Sequence, residues 1–293
     1  MRLPCICTFS VVAKDEASDE WGVAVASKFL AAGSVVPWGK ANAGAIATQA
    51  WANISFGPDG LTLLESGMPA RETLEQLVAK DEGRDHRQLG IVDREGRAAT
   101  YTGAECLDWA GGVTGDGFSI QGNILTGAEV VESMKETFLS TEGTLTERLL
   151  ATLLAGDRSG GDKRGRQSAA ILVVREGGSY GGYTDKALDL RVDDHTDPVP
   201  ELQRLYSIHQ LLFEKAGDDE LIDISGPLVS ELAAALEGLG YLNGKGSEFD
   251  EELSSALRTF MGAENLEERW VEGPRIDRTV LEELRRKAEH GKG

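Results

Sequence analysis

The feature that most constrains this chain is a change of pattern about two thirds of the way along it. Before residue 217, short apolar runs alternate with helical spacings, and SAAILVVRE (168–176), closed by Gly177-Gly178, has the pattern of a buried strand. After residue 217, only helical spacings remain, at 227–237, 249–261 and 278–288. The sequence therefore predicts a strand-and-helix domain over 1–216, a linker over 217–226 and a small all-α domain over 227–293.

The charge of the chain limits its partners. Its 293 residues include 30 Lys and Arg against 49 Asp and Glu, which gives a net charge of −19. Such a field repels nucleic acids and anionic lipids, so we expect neither as a partner. The sequence contains no apolar run of bilayer length and no signal-peptide pattern. We therefore expect a cytoplasmic protein with no membrane segment.

The cysteines, histidines and acidic residues do not form a clear metal-binding pattern. Cys5 and Cys7 are too close together for an easy disulfide within a strand, and the third cysteine is Cys106. The acidic segment VDDHTDP (192–198) directly precedes a helical pattern, where Asp stabilises a helix N-terminus. We therefore predict no metal and no cofactor.

Two long blocks carry a family resemblance. The first is TFSVVAKD…EWGVAVASKFLAAGSVVPW…AGAIATQAWANISFGPDGL, and the second is GGDKRGRQSAAILVVREGG…DLRVDDHTDPVPEL. Together with YTGAECLDWAGG…GFSIQGNIL, they resemble domain-of-unknown-function family 1028 (DUF1028) over residues 7–212. The resemblance implies the fold of the N-terminal-nucleophile (Ntn) hydrolases, in class α+β. That fold is a four-layer αββα sandwich, with two antiparallel sheets between two layers of helices.

The end of the chain resembles a second family. It is similar to the peptidoglycan-binding domain that often follows DUF1028, through LVSELAAALEGLGYL, GSEFDEELSSALRTFMGAENLEERW and GPRIDRTVLEELRRK. The apolar spacings in these segments predict three helices, with Asp250 and Asp277 as N-terminal caps of the second and third. The resemblance implies a peptidoglycan-fragment ligand, and the segment offers no catalytic residue.

The resemblance to Ntn hydrolases also implies a nucleophile in the first strand. These enzymes attack amides with an N-terminal Thr, Ser or Cys whose own α-amine is the base, and the first strand aligns Thr8 with that position. Lys28, which closes the second strand, would lie near the nucleophile and orient it. The Asn123 amide in QGNIL is suited to donate to an oxyanion, and the alternative is a turn residue that bonds its own backbone. Seven residues, MRLPCIC, precede Thr8, so the mechanism requires cleavage. Without cleavage Thr8 has no base, and we interpret CTFSVVAKD mainly as the start of a buried strand.

A basic segment, GGDKRGRQSAA (160–170), precedes the buried strand at 168–176. Its glycines let the backbone bend, and its cationic side chains suit a carboxylate or phosphate. The candidate anion- or substrate-binding residues are Lys163, Arg164, Arg166, Gln167 and Ser168. The same arginines are suited to pair with Asp157 and Asp162 on a solvated hairpin tip. The sequence supports both interpretations equally.

These features leave several functions open. The first is an amide hydrolase of Ntn type that acts on a small amide or a muropeptide-like substrate. The alternative is a non-catalytic protein that binds peptidoglycan, another glycan or a protein partner. Self-association into a homo-oligomer is a third expectation, since large antiparallel sandwiches often form oligomers.

Overall fold

The computed structural model describes residues 8–214, 217–244 and 248–290, so predictions that concern MRLPCIC, including Cys5 and Cys7, fall outside it. The chain divides into two compact units, Met1–Arg204 and Leu205–Gly293. Each unit is described separately below. The predicted domain limits at 216 and 226 stay predictions.

The larger sheet of the first unit contains six of the described strands. They are β1 (Thr8–Asp15), β2 (Glu20–Ser27), β7 (Gly111–Gly115), β8 (Phe118–Asn123), β9 (Ser168–Val174) and β10 (Lys186–Val192). Their order is β10-β9-β2-β1-β8-β7, and every neighbouring pair is antiparallel. β1 and β2 form a hairpin, and Asp15 accepts a hydrogen bond from the Ala17 amide at 2.8 Å in its turn.

A second antiparallel sheet faces the first. Its strands, in order, are β3 (Pro37–Lys40), β4 (Gly44–Ala50), β5 (Arg87–Asp93) and β6 (Ala98–Thr102). Gly96 has a φ of 76° in the short turn between β5 and β6, a conformation that glycine adopts without strain. This sheet packs directly against the six-stranded sheet, mainly through β1, β2, β8 and β9.

Helices cover the outer faces of both sheets. The helices α1 (Phe56–Glu65) and α2 (Ala70–Ala79) pack on the four-stranded sheet, whereas α3 (Glu129–Ser140) and α4 (Leu145–Arg158) pack on the six-stranded sheet. A capping box begins α4, because the Thr144 hydroxyl accepts from the Glu147 amide and the Glu147 carboxylate accepts from the Thr144 amide. The order of layers is thus helix, sheet, sheet, helix. The αββα sandwich predicted from the family resemblance is confirmed.

Alternation along β1 sends its side chains in two directions. Phe9 packs with Met134 near Gly156 of α4, so the side chain of residue 9 points into the helix layer. Ser10 instead bonds Gln49 of β4, and Val12 lies in the apolar core between the sheets. Burial of a side chain such as Phe9 contributes about 1.5–3 kcal/mol. The alternation fixes the register of β1 and places Thr8 between the two sheets.

The second unit is mainly helical. Apolar faces of α6 (Pro227–Gly238), α7 (Glu251–Ala263) and α8 (Arg278–His290) enclose one core, which α5 (Pro198–Phe213) joins through Leu211 and Leu212. The predicted cap at Asp250 is present, because its carboxylate accepts from the Leu253 amide at 2.9 Å. The Asp277 carboxylate likewise accepts from the Thr279 amide at 2.7 Å.

A two-stranded antiparallel ribbon modifies the all-α prediction for this unit. It pairs β11 (Leu221–Asp223) with β12 (Arg275–Asp277), and β11 lies inside the predicted linker. The buried Asp277 carboxylate accepts from Arg269 Nη1 at 2.6 Å. Arg269 also donates to the carbonyls of Gln210 and Leu211, near the C-terminal end of α5. Three-residue strands are too short to give a periodic signal in the sequence.

Candidate functional site

Four polar side chains form a row across one end of the six-stranded sheet. The register pairs Asn123 of β8 with Thr8 of β1, Thr8 with Ser27 of β2, and Ser27 with Ser168 of β9. None of the four is more than 3% exposed. Three of them, Thr8, Asn123 and Ser168, are candidates from separate parts of the sequence. Register brings them together with Ser27, which sequence reasoning missed.

Thr8 lies at the start of β1 with its hydroxyl in this row. Its Oγ1 donates to Ser27 Oγ at 3.2 Å, and its carbonyl accepts from Gln49 Nε2 at 3.4 Å. At the far end of the row, Ser168 Oγ donates to the Phe29 carbonyl at 2.6 Å and accepts from the Ala32 amide at 3.1 Å. Ser168 therefore ties the segment after β2 to β9.

Two glutamines of the facing sheet complete the polar interior. Gln49 Nε2 donates to Gln88 Oε1 at 2.8 Å, and Asn123 Nδ2 donates to the same oxygen at 2.9 Å. Both glutamines are fully buried. In the sequence, each is a Gln within an otherwise apolar strand, GAIATQA or RQLGIVD. A polar side chain buried in such a strand requires hydrogen-bond partners.

The amide of Asn123 is only partly satisfied. Its Nδ2 donates to Gln88, whereas its Oδ1 has no hydrogen-bond partner in the described part of the chain. The sequence predicted Asn123 as a donor to an oxyanion. The structure instead leaves the acceptor end of this amide unpaired.

Lys28 lies apart from the Thr8 hydroxyl. Its backbone amide donates to Asp162 Oδ2 at 2.8 Å, and its ammonium donates to the Arg166 carbonyl at 3.1 Å. Both groups of Lys28 are thus bonded to the basic segment, whereas Ser27, the last residue of β2, bonds the Thr8 hydroxyl. The expected role of Lys28 beside Thr8 stays a prediction that the side-chain contacts do not favour.

The basic segment is folded around a buried aspartate. Asp162 accepts from the Lys28 amide, from the Arg164 amide at 2.9 Å and from Arg164 Nη2 at 3.1 Å. Lys163 is exposed, and its backbone amide donates to the Ile124 carbonyl at 3.0 Å. Asp162 thus holds the loop against the end of the sheet that carries the polar row.

Arg166 and Gln167 attach the same segment to other acids. Arg166 donates to Asp157 at 2.7 Å and to Asp197 at 3.1 Å, and the bond to Asp157 raises the pKa of the guanidinium above its usual value. Gln167 Nε2 donates to Asp194 at 3.1 Å. The interpretation in which the arginines pair with local acids matches these contacts. Anion binding by the segment stays a prediction.

A cavity of about 420 Å³ adjoins this segment. Its walls include Phe9, Ala26 and Ser27 from the sheet, together with Asp157 and Arg166. Its walls combine apolar side chains with the ion-paired Asp157 and Arg166 and with the exposed Arg158. The cavity is therefore a place where the anion prediction can be tested.

Side chains of the acidic segment at 192–198 form hydrogen bonds with the basic segment at 160–170. Asp197 and Asp194 accept from Arg166 and Gln167, and the Asp197 amide donates to His195 Nδ1 at 3.0 Å. Across the described ranges, no three His, Cys, Asp or Glu side chains are arranged to hold a metal ion. Among the helices of those ranges, none combines the length and apolar character needed to cross a bilayer.

Comparisons with known proteins match both parts of the chain. The model described as "Family of unknown function (DUF1028)" matches residues 8–202, and the model described as "Putative peptidoglycan binding domain" matches residues 212–284. The crystal structure of the DUF1028 protein SPO2555 from Silicibacter pomeroyi is 32% identical, with a TM-score of 0.64. The match covers 72% of this chain and 91% of that chain. No curated protein matches the chain. The resemblance to both families is confirmed.

Proposed function

We propose that this chain, which belongs to the DUF1028 family, is an amide hydrolase of N-terminal-nucleophile type in which Thr8 is the nucleophile. One observation carries the proposal: Thr8 of β1 lies within a buried row of polar side chains that contains an acceptor, Asn123 Oδ1, with no partner among the described residues. Buried polar groups destabilise a fold unless they are paired, so an incompletely paired row between two sheets indicates a function other than packing. The substrate class we propose is a small amide or a muropeptide fragment.

The chemistry requires Thr8 to become the first residue of the chain. Thr8 Oγ1 attacks the carbonyl carbon of Cys7, the C–N bond breaks as the Thr8 nitrogen takes the hydroxyl proton, and an ester forms. Water hydrolyses that ester, which leaves a carboxylate on Cys7 and a free amine on Thr8. In catalysis, this amine accepts the Thr8 hydroxyl proton as the oxygen attacks the carbonyl of a substrate amide.

The burial of Thr8 gives this cleavage a second role. Its side chain is fully buried in the intact chain, so a substrate carbonyl has no access to Oγ1 before the structure opens. A reacting carbon must come within about 3–3.5 Å of the nucleophile. Removal of MRLPCIC both creates the base and removes chain from the start of β1.

Intact mass spectrometry tests the proposal. We expect the purified wild-type protein to lose MRLPCIC and the Thr8→Ala variant to keep it. The processed protein should then release amine from a panel of small amides and muropeptides, and Thr8→Ala should not. A wild-type chain that keeps its full mass and hydrolyses none of these substrates would contradict the proposal.

A second function is supported by the match at residues 212–284. Through this domain the chain would bind peptidoglycan, with or without catalysis by the first unit. Sedimentation with insoluble peptidoglycan tests this: the full chain should enter the pellet, and a chain that ends at Arg204 should remain in the supernatant. Equal sedimentation of the two chains would contradict it. Cytoplasmic location and self-association remain proposals alongside both functions.

A further inference from the structure

We infer that Asn123 holds the free α-amine of Thr8, by accepting one of its N–H groups at Oδ1. This assignment rests on the proposed function only in that Thr8 must become the N-terminal residue. It makes Asn123 a positioning residue for the catalytic base, in place of the oxyanion donor that the sequence predicted. The argument depends on the direction of the hydrogen bonds between the two sheets.

The direction of those bonds starts at Gln88. Its Nε2 donates to the carbonyls of Gly122 at 2.7 Å and Gly111 at 3.3 Å, and a backbone carbonyl can only accept. The nitrogen of this amide must therefore face those carbonyls, which leaves Oε1 to face Gln49 and Asn123. An amide oxygen accepts only, so both neighbours must turn their NH₂ groups toward it.

The same logic fixes Asn123. With Nδ2 committed to Gln88, its Oδ1 is the end of the amide that remains, and it has no partner in the described ranges. Asn123 is fully buried, and its register neighbour in β1 is Thr8. Directly opposed residues of antiparallel strands have Cβ atoms about 4.5–5.5 Å apart, which puts the Asn123 side chain next to Thr8.

The chemistry of Oδ1 selects its ligand. It is an uncharged acceptor, so it binds an N–H or O–H donor and not an anion. The Thr8 hydroxyl already donates to Ser27. A free α-amine has N–H donors in both its charged and uncharged forms, and its bond to Oδ1 is stronger in the charged form. Asn123 would thus hold the amine near Thr8 Oγ1 and raise its pKa.

Titration of the α-amine tests this inference. Residues 1–7 are replaced by a single Met, which aminopeptidase removes before Thr, so that Thr8 becomes N-terminal without self-processing. Acetylation of the Thr8 amine by acetic anhydride is followed against pH by peptide mass spectrometry. We expect Asn123→Leu to lower the labelling midpoint by about one pH unit, a tenfold change, and Asn123→Asp to raise it. A midpoint that neither variant moves would overturn the assignment.

A measurement on the full-length chain keeps the inference testable if the Met-initiated chain does not fold. Gln121 is a matched control, since it lies on the same strand and face, with Nε2 bonded to Ser10 at 2.7 Å and Oε1 to Ser119 at 2.7 Å. Gln121→Leu removes hydrogen bonds at both ends of the amide and should lower the Tm by several degrees, whereas Asn123→Leu removes the one bond to Gln88 together with an acceptor that has no partner in the described ranges, and should lower the Tm by clearly less. Equal losses for both variants would overturn the inference.

The outcomes separate this inference from the proposed function. A wild-type chain that keeps MRLPCIC, together with a shifted midpoint in the Met-initiated variants, rejects self-processing and retains the role of Asn123. A wild-type chain that loses MRLPCIC, together with an unmoved midpoint, retains self-processing and rejects that role.

Discussion

Gly90 of β5 and Gln121 of β8 meet between the two sheets: a Cβ on residue 90 would come within 2.5 Å of the Gln121 side-chain carbon and nitrogen. Gln121 Nε2 donates a hydrogen bond to Ser10 Oγ, and Ser10 Oγ donates to Gln49 Oε1. We predict that Gly90→Ala costs about 1–3 kcal/mol in the free energy of unfolding, because the added methyl group displaces the Gln121 amide from its partners. Urea unfolding followed by circular dichroism measures the loss.

A double variant provides the control for Gly90→Ala. In a Gln121→Ala background the space beside residue 90 is open, so the same substitution should cost much less than in wild type. If the losses in the free energy of unfolding from Gly90→Ala and Gln121→Ala are additive, the methyl group added at residue 90 does not clash with the Gln121 side chain.

Asp81 should make the stability of the first unit sensitive to acid. Its carboxylate accepts from Arg87 Nε at 2.7 Å, and this bond holds the pKa of Asp81 below its usual value. Because the pKa of Asp81 is lower in the folded state, its charged form stabilises the fold, and this stabilisation is fully present above the usual pKa of about 3.9. The stabilisation is lost as the pH falls through about 3.9 and then through the lower pKa of the folded state. Asp81→Asn should cost about 1–3 kcal/mol at pH 7, and this difference from wild type should shrink on acidification to pH ~3.

Urea titrations of both proteins at several pH values check the Asp81 prediction. Glu75→Gln is a suitable control, because the Arg71–Glu75 pair is exposed on both sides and such pairs contribute little. A constant difference between wild type and Asp81→Asn across this range would contradict the prediction.

Arg166 should stabilise the fold through the Asp157 carboxylate. That carboxylate is only 7% exposed and depends on Arg166 Nε for its charged hydrogen bond. Arg166→Ala should therefore lower stability by about 1–3 kcal/mol, since it leaves a buried charge unpaired. Lys163→Ala, on the same segment, should change stability by less than about 0.5 kcal/mol, because its side chain is exposed. Thermal unfolding of both variants measures the contrast.

The same experiment separates ion pairing from anion binding. If the segment is an anion site, phosphate at 100 times its dissociation constant stabilises wild type by about 2.7 kcal/mol. Joint replacement of Arg164 and Arg166 by Ala should then abolish that stabilisation. An unchanged wild-type Tm in phosphate and in small carboxylates leaves the arginines with a structural role alone.

The sequence predicted the members of the polar row better than their arrangement. Thr8 was found from the family resemblance and Asn123 and Ser168 from local motifs, but no local pattern shows that β8 pairs with β1 or that β9 pairs with β2. Gln49 and Gln88 were missed because their partners lie across the gap between the sheets. Lys28 follows the last residue of β2, and its expected role beside Thr8 stays a prediction. The residues of this site are determined by which strands pair and by the side of the sheet on which each side chain lies, rather than by composition.

Limited proteolysis tests the predicted domain limits. Phe213 ends α5 and Leu221 begins β11, whose pairing with β12 protects it. We therefore expect the first cut between these two residues, within or next to the predicted linker, and a stable larger fragment. Mass spectrometry of the fragments locates the cut. A first cut inside the sandwich, or resistance across this segment, would contradict a linker there.

Thr8→Val offers the sharpest test of whether Thr8 is held for packing or for chemistry. Valine keeps the shape and β-propensity of threonine and removes only the hydroxyl, whose hydrogen bond to Ser27 Oγ is 3.2 Å long. In the uncut chain we predict a loss of about 1 kcal/mol, the usual value of one hydrogen bond. Thr8→Ser should keep that bond and any self-processing, whereas Thr8→Val should keep the full mass. If Thr8→Val and wild type retain the same full mass, the hydroxyl serves the strand and the proposed hydrolase is rejected. If only wild type and Thr8→Ser lose MRLPCIC, the buried hydroxyl of residue 8 is required for the cleavage. Its small contribution to stability would then show that it is kept for chemistry.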